Sequence, residues 1–173
     1  MKGTLDLMTP AMAIQKELVG IPDFGSTDDS ALFAKEKRAL GNLKKAGLMV
    51  SGAAVQKFMM KLSDEQEVLM DLADMLIEVY IAESTILRVE KMISIRGEKA
   101  CEVEKAMAMI YLHHAMEKAA SCGKQAIYAF AEGDELRFML LGLKRFTKID
   151  PFNLKEARRK VANYVIEKGE YPF

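Results

Sequence analysis

The chain has 173 residues, enough for one domain with its own core and no metal or disulfide staples. Half of the residues are hydrophobic, with 13 methionines, four prolines and no tryptophan, and the abundance of Ala, Leu, Met, Glu and Lys predicts an all-α fold. Twenty-five basic side chains balance 25 acidic ones, which leaves no basic excess for nucleic acid.

In chain order, Thr9-Pro10 reads as an N-cap followed by proline at the first helical position, opening a short helix to about Leu18. Gly20 to Ser26 is a loop by its glycines and prolines. Residues 1–26 are therefore expected to be a linker with a short docking helix, and 27–173 a helical-bundle domain. Asp28, Asp29 or Ser30 can cap a first long helix that runs to about Leu62. Gly41, Gly47 and Gly52 lie within it among other small residues, a pattern for close packing against a neighbour.

Ser63-Asp64-Glu65-Gln66 has the spacing of a capping box. It predicts a second long helix, closed by Arg96-Gly97. Its apolar positions at helical spacing are Leu69, Leu72, Ala73, Leu76, Val79, Tyr80, Ala82, Ile86, Leu87 and Ile93. A third long helix is expected from Glu98 to Ala131, with Gly123 as a bend and Gly133 just past its end. Asp134 caps a short helix to about Phe146, Asp150-Pro151 turns, and Asn153 with Glu156 starts a last helix that Gly169 ends. Short connections make neighbours antiparallel, so the architecture is an up-and-down bundle of three long helices plus shorter ones.

The residue types for catalysis are missing. The only histidines, His113 and His114, follow Ile110 and Tyr111 at three residues, so neither completes a Glu-x-x-His metal motif. Neighbours on a helix diverge by about 100°, which predicts one half-buried histidine and one at the surface. There is no nucleophile elbow, Walker loop or dinucleotide fingerprint. Cys101 and Cys122 are expected to be buried free thiols, in keeping with a cytoplasmic setting. Asp71, Asp74 and Glu78 share a helix face and are expected to be solvated or paired with bases. No catalytic, cofactor-binding or metal-binding residue is assigned.

Charge is unevenly spread. Residues 35–61 carry Lys35, Lys37, Arg38, Lys44, Lys45, Lys57 and Lys61 against Glu36, while residues 63–91 carry eight acids against Arg88 and Lys91. Complementarity between two antiparallel helices accounts for this. The alternative is a surface of Lys37, Arg38, Lys44, Lys45, Lys57 and Lys61 that meets an acidic partner or anionic lipid.

Leu72-Ala73-Asp74-Met75-Leu76-Ile77-Glu78-Val79-Tyr80, continuing to Ala82-Glu83 and Arg88, resembles a helix of the acyl-CoA dehydrogenase bundle, and more closely that of the extra C-terminal domain in very-long-chain-type members. Ala53–Met59, Ala129–Arg137 and Gly142–Thr147 resemble further stretches of bacterial relatives. The resemblance implies a parent flavoprotein that dehydrogenates fatty acyl-CoA between Cα and Cβ with FAD. It implies that the flavin and substrate sites lie upstream, and that this chain serves dimer packing, peripheral membrane attachment or cover of the catalytic body. As a docking domain it should expose an apolar face; as a stand-alone adaptor it should have a fully polar surface.

Overall fold

The computed structural model describes residues 8–20 and 31–173, and the expected caps Asp28, Asp29 and Ser30 lie outside them. Six α-helices follow in order: α1 Met8–Val19, α2 Ala34–Phe58, α3 Gln66–Arg96, α4 Glu102–Phe130, α5 Gly133–Phe146 and α6 Leu154–Lys168. Single 3-10 segments, Met59–Asp64 and Glu98–Cys101, join the three long helices. No strand occurs among the described residues, and the fold is the expected all-α bundle.

The long helices α2, α3 and α4 pack on one another in all three pairings. α1 leans on α2, α5 on α4 and α2, and α6 on α4. The seam closes over apolar side chains at helical spacing: Leu43, Met49 and Val50 from α2; Met75 and Ile86 from α3; Leu112, Met116 and Ile127 from α4; Met139, Leu143 and Phe146 from α5. Each is essentially without solvent contact, and burying such a side chain stabilises by about 1.5–3 kcal/mol.

Ion pairs report the direction of the hairpin. Lys37 meets Glu90 at 2.6 Å, and Lys44 meets Glu83 at 2.5 Å. Seven residues up α2 match seven residues down α3, two turns in each helix, so the helices are antiparallel. These pairs are partly exposed, where each contributes about 0.2–1 kcal/mol, so they favour a register more than they hold the fold.

Several boundaries differ from expectation for local reasons. α1 begins at Met8, ahead of the expected cap Thr9. α2 opens on Phe33, at φ 56° with no side-chain cap, and that ring is buried, so packing stands in for capping. α2 ends at Phe58 rather than Leu62, because Met59 turns the backbone to φ 49°. The Ser63 capping box does not form. Ser63 sits inside the 3-10 segment, its hydroxyl is 3.5 Å from Asp64, and the Glu65 amide donates to the Leu62 carbonyl. α3 therefore starts two residues late, with Glu65 in the N-cap position. α4 starts at Glu102 after one tight turn and runs without a break past Gly123. Gly133, at φ 56°, opens α5, and Asp134 makes no cap.

The last helix follows its sequence signals. The Glu156 amide donates to Asn153 Oδ1 at 3.2 Å, and Gly169 closes the helix at φ 69°.

Candidate docking surface

α3 is apolar on two sides. One side is the core face, made of Val68, Leu72, Met75, Val79, Ala82, Ile86 and Val89. The opposite side faces water with Leu69, Met70, Leu76, Ile77, Tyr80, Ile81, Leu87 and Ile95, whose exposures run from 37% to 72%. At 100° per residue these outer positions fall on one broad stripe, continued by exposed Ala73 and Ser84. Leu69, Ala73, Leu76, Tyr80 and Leu87, all at helical spacing in the sequence, belong to this outer stripe. Both registers satisfy a helical period, and only packing on α2 and α4 selects between them. The surplus of apolar residues in α3 was the one signal in the sequence, and it does not say which side faces the core.

The acids of α3 are held at the edge of the stripe by α4. Asp74 pairs with Lys118 at 2.8 Å, and Tyr111 donates its hydroxyl to Glu78 at 2.8 Å. Burial, then the bond to Glu78, pushes the Tyr111 phenol up to about 12. Burial raises Asp71 and the Cys122 thiol above their ordinary ranges. Cys101 and Cys122 are buried and free, as expected.

The six basic residues singled out from the sequence do not share one environment. Lys37 and Lys44 turn toward α3 in the pairs described above. Lys45 turns the other way, to Glu17 of α1 at 2.6 Å, with its ammonium 5.9 Å from the centre of the Phe146 ring. Arg38 lines a cleft between α2 and the segment that precedes α6. Lys57 and Lys61 are exposed where α2 gives way to the 3-10 segment, beside Met59 at 74% and Met60 at 92% exposure. Methionine is thus split between the core, as Met49 and Met139, and the surface.

His113 is buried more deeply than expected, at 7% exposure, and His114 is exposed. Among the described residues no group of three or more His, Cys, Asp or Glu side chains could hold a metal ion. No helix among them is long and apolar enough to cross a membrane.

The family model for the acyl-CoA dehydrogenase C-terminal domain matches residues 42–145, from the middle of α2 to the end of α5. A probable acyl-CoA dehydrogenase of Bacillus subtilis (strain 168) is 31% identical over 171 residues, which is 99% of this chain. The crystal structure of an acyl-CoA dehydrogenase complexed with FAD from Bacillus anthracis superposes with a TM-score of 0.87 at 31% identity over 96% of the chain. The chain spans 28% of the length of each of these two relatives. The match runs through the helices that build both faces of α3, and the chain belongs to the acyl-CoA dehydrogenase C-terminal domain family.

Proposed function

We propose that this chain is the non-catalytic C-terminal domain of a longer, FAD-dependent acyl-CoA dehydrogenase of the very-long-chain type, and that the outer face of α3 seats it on the catalytic body of that enzyme. The body takes the α-proton and the β-hydride from a fatty acyl-CoA and keeps the flavin. This chain contributes assembly, with residues 1–26 as linker and docking helix.

The observation that carries the reading is the exposed apolar stripe of α3. Monomers seldom leave a contiguous apolar cluster such as that from Leu69 to Ile81 in water. The fully polar surface of a stand-alone adaptor is not what the chain has. The occupant is taken to be the catalytic body because both relatives carry this region as a minor part of a much longer chain. The flavin is assigned to the body, which makes up most of the length of the FAD-complexed relative.

The test starts from the genomic reading frame around this coding sequence. The expected result is an adjoining flavin-binding region that, expressed separately, binds this chain in a titration. Ile77→Glu and Tyr80→Lys should each weaken binding about 10-fold or more, as central apolar anchors do. A chain that binds flavin by itself, or one whose α3 variants bind the body unchanged, overturns the proposal. Self-association through α3 with no affinity for the body would assign the face to a homodimer instead.

A second reading rests on Lys57 and Lys61 flanking Met59 and Met60, which sets two exposed lysines, without an ion pair among the described residues, beside exposed thioethers at one tip of the bundle. It predicts binding to vesicles that contain anionic lipid, lost with added salt and in the Lys57→Glu, Lys61→Glu variant.

A further inference from the structure

Both histidines of the chain sit side by side on α4, and both touch the segment that carries α6. His113 stacks on Phe152, two residues ahead of α6, with ring centres 5.4 Å and planes 29° apart. His114 places Nε2 2.6 Å from the guanidinium of Arg158, inside α6. Ala157 is the one buried residue of α6, and Lys160 reaches Glu102 at 3.2 Å in an exposed pair.

We propose that His113 forms a proton-operated latch: protonating it releases α6 from α4 while the three long helices stay packed.

The chemistry follows from donors and acceptors. Arginine only donates, so in the short contact the Arg158 guanidinium donates its proton to His114 Nε2. At His113 the conflict is burial. Its Nε2 is enclosed and has no hydrogen-bond partner, so a charged ring there has nothing to receive its second proton. Burial therefore lowers the affinity of His113 for a proton below that of free histidine, and the neighbouring His114 adds to this. Glu117 on α4 and Glu36 on α2 oppose it without reversing it. Lys35 and Arg38 of α2, with Lys148 and Asp150 from the link between α5 and α6, line the same cleft.

The sign is fixed by which state binds the proton better. Released α6 leaves His113 in water near 6.5, and docked α6 holds it lower. Docking is complete above about pH 6.5 and weakens as pH falls below it. Release opens the apolar groove between α4 and α6, lined by Ala106, Met109, Phe152 and Ala157, to another surface.

Amide hydrogen exchange at pH 7.5 and pH 5.0, corrected for intrinsic exchange rates, tests the latch. Protection of Leu154–Lys168 should fall about 10-fold or more at pH 5.0, with α3 protection unchanged. In the His113→Phe variant the ring stack remains but the group no longer titrates, so protection should be the same at both pH values. Should that variant fold poorly, His113→Gln, which keeps a polar side chain of similar size, should lose the response as well. The proposal is overturned if α6 protection in the native chain is equal at the two pH values, if α3 loses protection in step with α6, or if the substituted chains respond as the native one does.

Discussion

A methyl group placed on Gly52 of α2 would overlap the methyl of Ala11 in α1, so the two helices meet there backbone to side chain with no space between. Gly52→Ala gains helix propensity, about 1 kcal/mol, and forces a contact that no rotamer can relieve, at about 1–3 kcal/mol. The expected outcome is an α1 that detaches while the bundle keeps its melting behaviour. Limited proteolysis should cut near α1 faster in the variant, with an unchanged resistant core.

The two faces of α3 should respond in opposite ways. Met75 is fully buried, and Met75→Ala should lower stability by about 2–5 kcal/mol in denaturant titration. Ile77, half exposed on the outer stripe, should tolerate Glu within about 0.5 kcal/mol in the isolated chain. Equal losses at the two positions would mean that the outer stripe is already covered in solution.

Tyr111 should ionise late for a tyrosine. Its folded phenol is held at about 12 and its unfolded one lies near 10, so the folded state keeps the proton longer. The stability tied to this proton is whole below about pH 10 and declines as pH rises toward 12. Ultraviolet titration of phenolate absorbance should show one late step, absent from Tyr111→Phe.

Asn153→Ala removes the acceptor for the Glu156 amide and should cost about 0.5–2 kcal/mol of α6 helix stability. Exchange at neutral pH should quicken across the first turn of α6 and not in α2 to α4.

The sequence carried the architecture well wherever a local signal decided the outcome. Asn153 with Glu156, Gly97 and Gly169 act at helix ends as their types dictate. The opposed charges of α2 and α3 pair through Lys37 and Lys44, as complementarity within a hairpin requires. Small residues in α2 mark close packing at Gly52, but Gly41 faces open space, because spacing alone does not say which side meets a neighbour. Ser63 had the right spacing for a cap and lost to the tight turn that starts at Met59, a choice made by chain path and not by propensity. The same ambiguity hid the docking surface. Leu76 and Tyr80 fit a core pattern as well as Met75 and Val79 do, and three-dimensional packing alone assigns the sides.

The outer stripe of α3 is lopsided along the helix axis. Leu69, Met70, Leu76, Ile77, Tyr80 and Ile81 crowd the first half, whereas Leu87 and Ile95 stand apart beyond Ser84, interrupted by Arg88 and Lys91. Over a rod of about 46 Å, grip is therefore concentrated near one end. A partner element crossing α3 obliquely around Ile77 would use nearly all of it, and the far end would project into solvent like an outrigger, free to pivot a little about that crossing.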